Sequence, residues 1–319
     1  MRKSYILIVF VIALMTALVL SGCQGESDTF NLGIVSISPA EANNARFIKG
    51  AEEAAAERGW EVQVLDAHGS ADEANAAIQN LVTSNANAIV DMVFPTTSLG
   101  AGLRAAEEAG IPVGTWGGGF GPAVVVVNGS GGPHADPIIH KLVEDMNGEG
   151  ELLALTYHTG QVCREREEVM DGILVDYPGI NVTKNEVRIP GYLQDGADYT
   201  AAWLTNNPKG SGNLAIWGCW DDPALGAIST LKQQDRDDVL VYGENGNAEA
   251  ILAVQDGWMT ATAWQNSYEE GKVMVQKFEE AIAAGDSWEP TAAEVPAVII
   301  DASTVEQFIA DHPESIGNQ

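Results

Sequence analysis

The sequence predicts an α/β protein in which two arrays of parallel strands follow one another along the chain. Three observations lead there. Short apolar runs alternate with helix-forming stretches from about residue 30 onward, the alternation restarts after a glycine break near residue 150, and a length of 319 residues suits about two domains. Continuous apolar strands separated by helices indicate a parallel sheet covered on both faces. Hydrophobic residues make up 45% and aromatics 7%, enough to fill two cores.

In the first array the apolar runs 32–37 (LGIVSI), 61–65, 88–94, 112–116 and 123–128 (AVVVVN) are the expected strands. Helices are expected over 43–58, ended by Gly59, over 71–82, and over 99–109, closed by Gly110; glycine is the usual residue just past a helix end. Pro95 stops the third strand. In the second array a helix over 136–147 precedes the break Gly148-Glu149-Gly150. Strands are expected over 152–157, 182–189, 214–217, 239–242, 259–263 and 295–300, with helices over 164–177, 199–206, 223–233, 248–256, 268–284 and 303–311. The whole reads as two βαβ arrays in series.

The N-terminus reads as a secretory leader: Arg2 and Lys3, then an apolar run to Leu20. Leu20-Ser21-Gly22-Cys23 has the pattern of a lipobox, in which small residues precede a cysteine that is lipidated and becomes the first residue. The expectation is a leader over 1–22, lipidation at Cys23, a polar tether over 23–29, and an extracytoplasmic protein held at the membrane surface by lipid. An uncleaved signal anchor is the alternative. Formal net charge is −29, with 16 Lys and Arg against 45 Asp and Glu. That acidity excludes nucleic acid as a partner and suits a salt-rich setting, where screening weakens self-repulsion. Cys163 and Cys219 remain as an even pair in an oxidising compartment, so a disulfide is expected, with two buried thiols as the alternative.

Five stretches then carry a family likeness: 47–54 (FIKGAEEA), 71–88 (ADEANAAIQNLVTSNANA), 94–98 (FPTTS), 109–113 (AGIPV) and 220–227 (WDDPALGA). In this order and spacing the chain resembles the ribose/galactose-type periplasmic binding proteins (type I), the solute-binding subunits of ABC importers. The resemblance implies two Rossmann-like doubly wound lobes joined by a three-strand hinge, closing on a small polar ligand at the carboxyl ends of the strands. Crossings are expected near Ser130, at 265–266 and at 291–295. Lobe one is then 30–129 plus 266–290, and lobe two 130–265 plus 291–319.

The resemblance also places candidate ligand contacts. Asn43 and Asn44 stand where relatives carry aromatics, with a helix cap as the alternative role for one of them. After the fourth strand the usual Asp-Arg is replaced by Gly117 and Gly118, leaving Trp116 as a stacking face; the glycines read as room for a larger ligand or a shifted Trp. His158 and Thr159 follow a strand, although His158 suits a solvated loop equally. Arg164 or Arg166 is the expected oxygen clamp, with a salt bridge to Glu165, Glu167 or Glu168 as the competing role. Tyr192 falls near an aromatic position. Trp220 replaces an Asn, Asp221 keeps the acidic neighbour, Asn245 replaces an Asp, and Trp264 replaces a Gln or Asn.

Tryptophan faces with Asn, Asp and Arg suit a sugar or polyol. A betaine-like cation caged by Trp116, Trp220 and Trp264 is the second reading, and a receptor feeding a membrane sensor the third. No H-E-x-x-H or G-x-S-x-G motif is present, so neither an enzyme nor a metal site is expected. No cofactor is expected either. The expected partners are the small polar ligand and a membrane permease, with the chain itself a monomer.

Overall fold

Asn31–Ser36 (β1) is buried at every position but the first, which suits a strand at the middle of a covered sheet. In the computed structural model, which describes residues 29–317, β1 pairs in parallel on both sides, with β2 (Glu61–Asp66) and β3 (Ala88–Met92). The expected leader, Cys23 and the tether up to residue 28 lie outside the described residues. Strands are numbered along the chain. The first sheet adds β4 (Val113–Trp116), β5 (Val124–Asn128) and the short β11 (Thr291–Ala292), in the order β11-β5-β4-β3-β1-β2. The second holds β6 (Glu149–Thr156), β7 (Gly179–Glu186), β8 (Leu214–Gly218), β9 (Val239–Asn245), β10 (Ala261–Trp264) and β12 (Val298–Asp301), in the order β12-β10-β9-β8-β6-β7. Two α/β lobes result, as the sequence predicts.

Strand order reverses beside β1 in one sheet and beside β6 in the other. At such a switch point the flanking loops diverge and leave a crevice at the carboxyl ends of the strands. Around the first sheet lie α1 (Ala42–Glu57), α2 (Ala71–Thr83), α3 (Gly100–Ala109) and α9 (Ser267–Ala284); with the second go α4 (Gly131–Asp145), α5 (Gln161–Leu174), α6 (Tyr192–Leu204), α7 (Asp221–Gln233), α8 (Ala248–Gln255) and α10 (Val305–Asp311). Helix starts follow local chemistry. Ser70 caps α2 by accepting from the Glu73 amide, and Glu41 caps α1 by accepting from those of Asn43 and Asn44. α9 comes late in the chain yet packs on α1: a Cβ on Gly50 would lie 1.9 Å from the Tyr268 carbonyl oxygen, so only glycine allows that approach. Among the described residues no helix is long and apolar enough to cross a membrane.

Two details differ from expectation. Thr291 and Ala292 pair with Val126 and Val127 of β5, so these two residues, expected in lobe two, belong with the first sheet, and the chain leaves that sheet within the crossing expected at 291–295. β12 runs antiparallel to β10, closing an otherwise parallel sheet with an edge strand that a strict βαβ rhythm does not foresee.

Candidate functional site

The carboxyl ends of the two sheets face each other across a cavity of about 60 Å³. Ile37, Glu41, Asn43, Asn44, Val93 and Trp116 line it from the first lobe, Tyr157, Val162, Cys163, Arg166, Ile189, Trp220 and Asn245 from the second, and Gln265 from the hinge. Six of the expected contacts are therefore brought together: Asn43, Asn44, Trp116, Arg166, Trp220 and Asn245. The lobes touch. The Gln161 amide at the start of α5 donates to the Val93 carbonyl at 2.9 Å. Val93 itself is held at φ +79, a rare place for a β-branched residue.

Trp116 ends β4 and is buried against Phe47, ring centroids 5.1 Å apart. Its indole N–H donates to Glu270 Oε2 at 2.7 Å, and Gln265 Nε2 donates to the same oxygen at 2.8 Å. Glu270 is fully buried, and that burial pushes its carboxyl up to about 7. Asn43 is held at both ends from within: its Nδ2 donates to Gln265 Oε1 at 3.1 Å, and its Oδ1 accepts from Arg46 Nη2 at 2.7 Å. Asn44 Nδ2 donates to the Ser38 carbonyl at 2.8 Å.

On the second lobe Trp220 lies edge-on to Tyr157 and Tyr192, at 6.0 and 5.6 Å. Its indole N–H donates to Asp222 Oδ2 at 3.2 Å. Arg166 is 1% exposed and pairs with the buried Glu244, Nε to Oε2 2.9 Å. Its Nη1 donates to the Cys219 carbonyl at 2.6 Å and its Nη2 to Asn245 Oδ1 at 3.0 Å. Cys163 and Cys219 form the expected disulfide, tying the start of α5 to the turn that carries Trp220, with Cys163 in the cavity wall. Burial pushes Glu244 up to about 7 despite Arg166.

Other expected contacts stand elsewhere. His158 is exposed and lies between Glu167 and Glu186, at 2.9 and 3.4 Å, and so is a solvated loop histidine. Thr159 does not line the cavity. Arg164 points back along its own loop to the His158 carbonyl and Gln161, which leaves Arg166, half a turn further, as the arginine at the site. Tyr192 supports Trp220 from behind. Asp221 lies beneath the cavity, fully buried, where it accepts from the Asn247 amide at 2.6 Å and the Thr262 hydroxyl at 2.7 Å. Its carboxyl is pushed up to about 7 by burial.

Trp264 also turns away. It packs edge-on against Phe308 and tilted against His312, ring centroids 5.1 and 5.0 Å apart, so no three-tryptophan cage forms. Side chains alternate along a strand, and Gln265, one residue on, takes the cleft position. Nor do Gly117 and Gly118 make room for ligand. A Cβ on Gly117 would lie 2.0 Å from Val162 Cγ2, and one on Gly118 2.6 Å from Asp91 Oδ2. The space belongs to the opposite lobe and to a buried carboxylate.

Three polar groups escaped the sequence reading. Glu41 lines the cavity; its one signal was an acid just ahead of a helix start. Gln265 was hidden by the neighbouring tryptophan. Arg46, a rare cation in an acidic chain, is buried at the hinge side and reaches the carbonyls of Asn245 and Gly246 in the second lobe, at 2.8 and 3.3 Å. Between lobes, Asn247 Nδ2 stands 3.4 Å from both Glu41 Oε1 and Asp222 Oδ1. Burial, with Glu41 and Asp221 nearby, raises Asp222 as well.

Comparison with known proteins places these features. The chain is 26% identical over 298 residues to the D-apiose import binding protein of Actinobacillus succinogenes, covering 86% of this chain and 90% of that one. To the ribose import binding protein of Bacillus subtilis it is 22% identical over 277 residues, covering 81% and 84%. An ABC transporter solute-binding protein from Agrobacterium vitis, solved with bound allitol, superposes with a TM-score of 0.82 at 25% identity over 89% of this chain and 99% of that one. The family model described as the periplasmic binding protein domain matches residues 34–286, and the chain belongs to that family.

Proposed function

We propose that this chain is the extracytoplasmic solute-binding subunit of an ABC importer, and that it captures a small sugar or polyol by closing two lobes around it. The observation that carries the reading is the cavity between the strand ends, walled by Trp116 from one lobe and by Trp220 and Tyr157 from the other. Flat aromatic faces pack against the C–H side of a sugar or polyol. Asn44, Glu41, Arg166 and Asn245 surround them with donors and acceptors for hydroxyls. The relatives that import ribose and D-apiose, and the allitol-bound structure, support the same class. Those relatives are binding proteins, which supports capture without chemical change. Lipid on Cys23 would hold a monomer at the membrane beside its permease.

The test is thermal unfolding of the lipid-free chain, residues 24–319, against pentoses, hexoses, sugar alcohols, betaines and amino acids. A ligand that binds only the folded state adds about 2.7 kcal/mol at a hundredfold excess over Kd. A raised midpoint with one sugar or polyol class is expected. A rise with betaines alone, or with no solute, overturns the reading. For the anchor, Cys23→Ala should abolish incorporation of labelled fatty acid.

A further inference from the structure

The cleft is unusually acidic for a surface that must close. Glu41 and Glu270 approach from the first lobe and Asp221 and Asp222 from the second, all in the surroundings of one guanidinium, that of Arg46. Arg46 sits in the first turns of α1, is 7% exposed, and spends its donors on both lobes. Nη2 reaches Asn43 Oδ1 and the Asn245 carbonyl, Nη1 the Gly246 carbonyl, and Nε the Ser267 hydroxyl at 3.3 Å, just past the second crossing. Asn245 is held at φ +107 and is gripped from the other side by Arg166 through its Oδ1. Arg46 does not line the cavity between the strand ends.

We propose that Arg46 is an interlobe strut: its guanidinium neutralises the carboxylates gathered from both lobes and, by clasping the Asn245–Gly246 backbone, holds the lobes closed. It is a positioning residue that acts on ligand through Asn43 and Asn245. The inference rests on the reading of the chain as a closing two-lobe binding protein. A planar fork with several N–H donors suits two carbonyls and an amide at once, which a lysine ammonium cannot match in geometry. Removing a buried cation leaves the facing carboxylates uncompensated, so the closed form should then repel itself. Arg166 pairs with Glu244 and also bears on Glu270, but its hydrogen bonds go to the Cys219 carbonyl and the Asn245 side chain rather than to the Asn245–Gly246 backbone that Arg46 clasps. On the groove side of Arg46 stand Lys49, Glu53 and Glu269 from the first lobe and His312 and Glu314 from the second. Of the facing acids, Asp221 and Glu270 are pushed up to about 7 by burial, so mild acid relieves the repulsion that Arg46 otherwise cancels.

The experiment uses no ligand, so a failed ligand panel leaves it intact. Amide hydrogen exchange is followed in wild type, Arg46→Lys and Arg46→Met at about pH 5.5 and pH 8. The Gln161 amide reports closure, because its acceptor is the Val93 carbonyl across the cleft. Ile89 and Val90 amides of β3 report folding of the first lobe. Wild type should protect Gln161 at both pH values. Arg46→Met should lose at least about tenfold of that protection at pH 8, recover much of it at pH 5.5, and keep the β3 protection. Arg46→Lys should fall between, and it carries the test by the same criteria if the Met variant does not fold. The proposal is overturned by a Gln161 amide that is unprotected in wild type, by variants with wild-type protection, by a loss equal at both pH values, or by a loss shared in full with β3.

Discussion

Val162 of the second lobe fills the space that a side chain on Gly117 of the first would need. An ideal Cβ there would stand 2.0 Å from Val162 Cγ2, and the Gly117 backbone is at φ +74. Within its own lobe the Val162 backbone packs tightly on Gly131, where a Cβ would stand 2.2 Å from the Val162 carbonyl oxygen. Closure therefore depends on a glycine in the turn after β4. Gly117→Ala should weaken Kd for the panel ligand at least about tenfold, or ~1.4 kcal/mol, and change the ligand-free unfolding midpoint less. Adding Val162→Ala should return part of the affinity, a coupling that calorimetry on both singles and the double reads directly. Additive losses would mean that the two residues do not meet in the bound form.

Trp220 and Trp264 share one expected role, yet Trp220 lines the cavity while Trp264 packs outside it on Phe308 and His312. Trp220→Ala should weaken ligand binding by about tenfold or more, since it removes a cavity wall. Trp264→Ala should leave affinity within about twofold while lowering stability by about 3 kcal/mol, through loss of packing on Phe308 and His312. Binding isotherms and chemical denaturation of both variants separate the two effects. A large affinity loss in Trp264→Ala would place that ring in the site after all.

Apolar runs and their glycine stops made the strand and helix order legible, because a doubly covered parallel strand must be apolar throughout. The cleft was legible at strand ends, as at Trp116, and in the first turns of the helices that follow them, as at Asn43, Asn44 and Arg166. A shift of one residue hid Gln265 behind Trp264, since neighbours in a strand face opposite ways. A shift of one turn position sent Asp221 into the core while Asp222 took the indole of Trp220. Arg46 was illegible for another reason: its carbonyl partners lie 199 and 200 positions along the chain, and no local pattern encodes them.

The Cys163–Cys219 bridge closes a span of 56 residues and braces both Arg166 and Trp220. Loop-closure entropy for such a span is worth about 4 kcal/mol, an upper value if the unfolded chain keeps structure. Replacing both cysteines by serine should lower stability by about 2–4 kcal/mol and weaken ligand binding, because the carbonyl that positions Arg166 belongs to Cys219. Denaturation with and without a reductant checks the first part, and calorimetry the second. Equal affinity in the bridged and unbridged proteins would show that helix packing alone positions Arg166.

Stability should fall as pH rises from about 4.5 to about 8. Asp221, Glu244 and Glu270 titrate near their ordinary values when the chain is unfolded and at about 7 when folded. Between those limits the folded state holds more protons, so raising the pH costs it stability, and the full cost is present above about 7. His134 works the other way. Burial lowers it to about 4, so the unfolded chain takes up its proton first as the pH drops below about 6.5. These three acids, joined by Asp91 and Asp222, which burial raises in the same direction, outweigh one histidine, and the general acidity of the chain adds repulsion in the same direction. Unfolding midpoints at about pH 5, 6, 7 and 8 should therefore decline steadily. Glu270→Gln should flatten the slope, since an amide oxygen can still accept from Trp116 and Gln265 but carries no charge to desolvate. A flat or rising profile in wild type would mean that these carboxylates are solvated or paired more fully than their burial implies.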